Sequence, residues 1–246
     1  DEPWGAATSD FDITLVDLNG NPLPCSAPSG GQDDNLVTGL PRELVTWSSS
    51  CAPGTKSVAL KIERVEGTAS PSIKYIARRN GSAGSFSVIE HATDSDTINP
   101  DAASAKGAIT VAAVSATDPG TNTPESYSSR GPKTRLLDKD GVRLAAPEIR
   151  IKPEVAAADA VATTVPAYLN FTGTSASVPS AASIAANLMS TNPNASQKEI
   201  RTQMTDSGNS IDCTLSLLVP DPDCGSGFLL ADSANTALDR TGPVVS

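Results

Sequence analysis

A chain of 246 residues with a formal charge of −10 is long enough for one large core or two modest ones. Its charge has the wrong sign for a nucleic-acid binder, which needs basic patches to neutralise phosphates. No apolar stretch reaches the ~18 residues of a membrane span, and Asp1-Glu2-Pro3 opens in polar sequence without the pattern of a signal peptide. Nucleic acid and membrane are therefore not among the expected partners.

Residues 1–86 read as β throughout. Phe11-Asp-Ile-Thr-Leu-Val16 alternates apolar and polar positions and runs into a turn at Asn19-Gly20-Asn21-Pro22. Arg42–Trp47 is a second predicted strand, and Lys56–Arg64 a third that puts Val58, Leu60 and Ile62 on one face. Ser72–Ala77 closes the series. Short strands between Gly/Pro/Ser turns predict a small all-β antiparallel sandwich. Asp10, Asp12 and Asp17 are candidate ligands for a structural calcium, since hard cations favour carboxylate oxygens; solvated strand-edge carboxylates are the plainer reading. No other cofactor is expected.

A linker, Asn80-Gly-Ser-Ala-Gly-Ser85, separates this part from an α/β part over 87–246. The latter has predicted strands near Ser87–His91, 108–114 and 154–158, then a helix over 174–191. A polar helix over Ser196–Asp206 starts with the reciprocal Ser196/Glu199 pattern of a capping box. The serine at the mouth of the long helix is the chemically telling residue. Thr174 is placed to cap it, and Ser175 lies in its first turn, where backbone N–H groups lack partners and the dipole is positive. An oxyanion forming beside Ser175 would be stabilised by both. Pro179 falls in or just past that turn, and Ala181, Ala182, Ala185 and Ala186 permit close packing on a sheet.

Three stretches in order carry a resemblance: Ser128-Ser129-Arg130-Gly131-Pro132, Lys152-Pro153-Glu154-Val155-Ala156, and Gly173-Thr174-Ser175-Ala176-Ser177-Val178-Pro179. In this order and at these separations they resemble the carboxyl-terminal half of subtilisin-like serine proteases, the subtilases, over roughly residues 87–205. The resemblance implies that Ser175 is the acylating nucleophile of a serine endopeptidase acting on protein or peptide substrates. It also implies a parallel α/β sheet, of which 87–246 would supply only the later strands and the nucleophile helix. One of those strands should then stand unpaired. Trp4 and Asp10-Phe-Asp-Ile-Thr-Leu15 resemble the opening of the β-sandwich inserted into some members, which gives the division 1–86 and 87–246.

A serine hydroxyl needs a general base, and the base an orienting group. The single histidine, His91, lies beside Asp94, Asp96 and Asn99-Pro100 and reads as a loop residue rather than a triad base. No His-Gly-Thr or Ala-Gly-Asn stretch occurs, so the resemblance implies that the triad Asp and His come from an upstream segment of the same protease. The sequence departs from the family at Ser180-Ala181-Ala182-Ser183, and at the charged Lys133–Arg150, expected as a surface loop. Two alternatives follow: a catalytically degenerate homologue acting as a binding module, or a sedolisin-type acid peptidase. None of the four cysteines has Cys-x-x-Cys spacing, and the local pairs Cys25–Cys51 and Cys213–Cys224 are favoured over buried thiols. Two staples imply an oxidising compartment and hence a secreted or periplasmic protein. Asn80, Asn170 and Asn194 head Asn-x-Ser/Thr triplets.

Overall fold

The computed structural model describes residues 1–23, 26–28, 33–47, 57–68, 70–77, 87–93, 95–99, 101–118, 120–213 and 221–240. It divides into two compact units, Asp1–Phe86 with Leu136–Pro147, and Ser87–Arg135 with Glu148–Ser246. The linker at 80–85 and the Cys25–Cys51 pair lie outside the described residues.

The first unit comprises β1 (Asp10–Val16), β2 (Ser26–Pro28), the single-turn α1 (Asn35–Thr38), β3 (Val45–Trp47) and β4 (Ala59–Glu66). The alternating Phe11–Val16 stretch is β1. It pairs antiparallel with β4 and sets Ile13 opposite Ile62 and Leu15 opposite Leu60. β2 and β3 form a second antiparallel pair. Ser72–Ala77, expected as a strand, is irregular. Asp34 caps α1 by accepting from Leu36 and Val37 N–H, and Gly39 ends it at φ 69°, where a side chain would meet the Gly5 backbone. The buried Asn35 ties the pieces together. Its Oδ1 accepts from Phe11 N–H at 2.9 Å, its Nδ2 donates to the Leu40 carbonyl and to Glu43, and its own N–H goes to Asp10 Oδ1.

The second unit is built on β5 (Val111–Ser115). Next in the chain come β6 (Lys133–Leu137) and β7 (Arg143–Arg150), of which Leu136–Pro147 belongs to the first unit, then β8 (Val155–Asp159), β9 (Val161–Ala162) and β10 (Asn170–Phe171). The long helix α2 (Thr174–Thr191) and α3 (Gln197–Met204) follow, then β11 (Ser210–Ile211), β12 (Phe228–Leu229) and α4 (Ala231–Arg240). The main sheet runs β11-β12-β8-β5, with β5 and β12 parallel to β8 and β11 antiparallel to β12. Alternation within its short strands sorts two faces. Val111, Val155, Ala157 and Leu229 face a core completed by Ala181 and Leu188 of α2, Ile200 and Met204 of α3, and Ala234 and Leu238 of α4. Ala112, Val114 and Ala156 gather on a second cluster with the Cys213–Cys224 disulfide. The small residues of β8 let α2 lie close on the strand, and Ser180 Oγ donates to the Ala158 carbonyl at 3.0 Å.

Three expectations change here. The Lys133–Arg150 stretch is the β6–β7 hairpin, not a loop. Its turn is made by Asp138 accepting from Asp140 and Val142 N–H and by Gly141 at φ 78°. Ser87–His91 is irregular rather than a strand, because a run of turn-forming Asp and Asn follows it directly. The outer edge of β5, expected to stand unpaired, is covered by the chain just after it. Glu125 N–H donates to the Ala113 carbonyl, Ser128 Oγ accepts from Ala113 N–H, and Val114 bridges to Pro124.

Candidate active site

The site assembles at the carboxyl ends of β5 and β8, where α2 begins. Gly173 is the N-cap, with φ 106°, a conformation that side-chain-bearing residues rarely adopt. That left-handed glycine lets the helix start at Thr174, so Thr174 is the first helical residue and makes no cap hydrogen bond. The expected threonine cap is thereby corrected. Gly173 C=O receives Ala176 N–H at 2.8 Å, whereas the Thr174 and Ser175 N–H groups donate to no acceptor among the described residues. Ser175 is solvent-exposed in this first turn, between the half-buried Thr174 and the buried Ala176. Its position joins an accessible hydroxyl, two open N–H donors and the positive end of an 18-residue helix.

The other two stretches that carried the resemblance lie deeper and hold the scaffold. Gly131 sits so close to the chain that a Cβ on it would stand 1.6 Å from the Lys152 carbonyl oxygen, and its N–H donates to the Pro222 carbonyl. Arg130 makes a two-point ion pair with Asp223, which is almost fully buried. Lys152, itself 2% exposed, donates to the Ala105 and Ala108 carbonyls and to Glu154 Oε1. Glu154 also accepts from Arg201 of α3 and from Thr110 N–H, and a Cβ on Gly225 would strike its carbonyl. These glycines and charges are read by neighbours far along the chain; their part is to fix the ends of β5 and β8.

One further pair, Tyr127 with Asp159, was not anticipated. Asp159 ends β8 and is fully buried; its Oδ2 accepts from the Tyr127 hydroxyl, and its Oδ1 has no partner among the described residues. Burial first, and then this hydrogen bond, push the Tyr127 phenol well above its ordinary range, although its ring is half exposed. The Gly173 backbone N–H acts in the opposite direction and favours the ionised phenol. The sequence signal was an acidic residue closing a strand of one valine and three alanines, an unusual place to bury a carboxylate.

His91 is exposed in a bend at φ 58°, and no hydrogen bond joins Ser175 to a histidine or carboxylate among the described residues. Among the three candidate calcium ligands, Asp10 and Asp17 accept backbone hydrogen bonds. Asp10 receives the Asn35 N–H, and Asp17 Oδ1 receives the Asn19 and Asn21 N–H groups of the turn. Those bonds hold the Asp17 carboxyl below its usual range.

A family model described as the subtilase family matches residues 47–235. No curated protein matches. Among solved structures, a protease from Pseudoalteromonas arctica PAMC 21717 is 19% identical with a TM-score of 0.33, over 57% of this chain and 38% of that one. The CspB protease of Clostridium perfringens is 15% identical with a TM-score of 0.48, over 95% of this chain and 50% of that one. The chain thus spans half or less of the length of these two proteases.

Proposed function

This chain belongs to the subtilase family, and from that premise we propose that it carries the nucleophile of a serine endopeptidase, with Ser175 as the acylating residue. The observation that carries this reading is the exposed Ser175 in the first turn of α2, immediately after the left-handed Gly173. Ser175 Oγ attacks a peptide carbonyl carbon while a base takes its proton. The new oxyanion settles on N–H donors of the turn, that of Ser175 among them, and collapse of the tetrahedral adduct expels the amine with the returned proton. Water then cleaves the acyl-enzyme by the same route. The triad His and Asp are supplied by sequence outside these 246 residues, and His91 takes no part. Substrates are proteins or peptides. The inserted β-sandwich reading is retained for 1–86, with 87–246 as the carboxyl-terminal part of the catalytic domain. The Cys213–Cys224 disulfide supports an oxidising, extracellular or periplasmic setting.

The test is labelling with a fluorophosphonate, which traps an activated serine. The chain is labelled alone and as part of the full-length protein, and the modified peptide is mapped by mass spectrometry. Labelling of Ser175 in the full-length protein but not in this chain alone is the expected result. Labelling of this chain alone would place the base within it. Absence of label in both would favour a degenerate homologue that binds without cleaving.

A further inference from the structure

We propose that Ser180 is a positioning residue for the nucleophile: its hydroxyl clasps the first turn of α2 to the end of β8 and so fixes the place of Ser175. This rests on the reading of Ser175 as the acylating residue.

The need for such a tie begins with Pro179. It lies inside α2, and its ring nitrogen carries no hydrogen. The rung that position 179 would send back four residues belongs to the Ser175 carbonyl, so the ladder is broken where the nucleophile sits. Within the turn, Ala176 N–H donates to the Gly173 carbonyl at 2.8 Å and Ser177 N–H to the same carbonyl at 3.4 Å. Both bonds hold the turn to itself; neither reaches the sheet.

The strand has a matching need. β12 pairs with β8 at Phe228 and Ala156, where Ala156 N–H donates to the Gly227 carbonyl. Ala158, two residues on, turns its carbonyl to that same edge, past the end of the pairing. A main-chain carbonyl packed under a helix needs a donor. Ser180 Oγ supplies it at 3.0 Å and also faces the Ala176 carbonyl at 2.9 Å, so one hydroxyl proton is shared between two acceptors. Ala176 follows Ser175 in the chain and is fully buried. β8 is itself fixed on its other edge. Val114 stands opposite Ala158 in the parallel register, and the Asp159 carbonyl accepts Ala116 N–H at 2.7 Å. The tie thus runs from the sheet through Ser180 to the backbone next to Ser175. Ser180 is one of the positions at which the sequence departs from the family, so the clasp is a feature of this chain. Serine attack and oxyanion capture both depend on that turn standing in one place. Ser177 provides a comparison in the same turn: it is fully buried, yet its Oγ has no partner among the described residues.

Ser180→Ala removes the hydroxyl and nothing else. In the full-length protein it should slow fluorophosphonate labelling of Ser175 by about ten-fold, a fraction of the hundred-fold that a misplacement of about 1 Å can cost. The loss should fall on kcat with KM unchanged, and amide exchange should accelerate at Ala176 but not at Ile200 of α3. Ser180→Thr, whose hydroxyl can still bond the carbonyl four residues back, should regain most of the rate. Ser177→Ala should label at the wild-type rate. A Ser180→Ala protein that labels at the wild-type rate, or slows only in proportion to its unfolded fraction in a thermal melt, would overturn the proposal. So would a Ser180→Thr protein as slow as Ser180→Ala, or a Ser177→Ala protein slowed equally. If wild-type Ser175 takes no label at all, the nucleophile reading is what fails. Exchange at Ala176 then decides the positioning, and an unchanged rate in Ser180→Ala overturns it.

Discussion

The two units of this chain are held by different kinds of interaction. In the second, a four-stranded sheet is buried on both faces, and its strand ends are fixed by charges and glycines whose partners lie tens of residues away. In the first, the strands pair two by two, and most of β4 stays open to solvent, with Ile62 and Val65 exposed. What unites that unit is a polar bracket, Asn35 with Asp10, Phe11, Leu40 and Glu43. Short strands can build a core when helices cover them; uncovered ladders depend on satisfied polar groups instead. The catalytic candidate sits on the covered unit, where a helix end can be held still.

The sharpest way to break the comparison is Lys152→Met. It strips a buried ammonium from two carbonyls and from Glu154, and should cost about 3–5 kcal/mol, the scale for breaking a buried ion pair. Hydrogen exchange should show protection lost in β5 and β8 but kept in β1 and β4; equal loss in both units would erase the distinction. Gly131→Ala comes next. A methyl group cannot share space with the Lys152 carbonyl, so the loop after β5 must move, at about 2–3 kcal/mol in urea melts. The counterpart in the first unit is Asn35→Ala, which leaves the Phe11 N–H without its acceptor and the Leu40 carbonyl and Glu43 without the donor that Asn35 Nδ2 supplies. About 1–3 kcal/mol is expected, with exchange accelerating at β1 and not at α2.

Two smaller effects sharpen the picture within the second unit. Ser196→Ala removes the cap of α3 and should cost about 1 kcal/mol, read as a lower urea midpoint. Glu148 is held low, at about 2, first by the Arg150 hydrogen bond and then by those of Lys106 and Arg135. A depressed carboxylate contributes its stability fully above its unfolded value and loses it as pH falls through the folded one. The difference between wild type and Glu148→Gln in urea midpoint should therefore be constant above about pH 5 and shrink steadily towards pH 2. A difference that does not vary with pH would mean the ion pairs contribute nothing.

How much of this was legible beforehand follows from the range of each interaction. Helix α2 has the bounds 174–191 that its sequence pattern marked, because small and apolar residues recur at helical spacing. The Ser196/Glu199 box is present because it joins residues three apart. The Cys213–Cys224 bridge closes a local loop, as its spacing suggested. The hairpin at 133–150 was obscured by charges that project from an exposed ladder, and the turn at Asp140-Gly141 was the signal to read. The cap of α2 was assigned to Thr174 on side-chain preference alone, whereas the left-handed backbone at Gly173 displaced it.

Sequence by itself determined the family, the helix that bears Ser175 and the residue types at its first turn, since those are carried by contiguous words of the chain. Only the tertiary structure decided that Gly131 presses on Lys152, that Ser128 and Glu125 close the edge of β5, and that Tyr127 reaches Asp159 across 32 positions. The physical reason is the same in each case. A hydrogen bond or a close approach between distant segments depends on where the sheet brings them, and neither partner carries a mark of the other in its own neighbourhood.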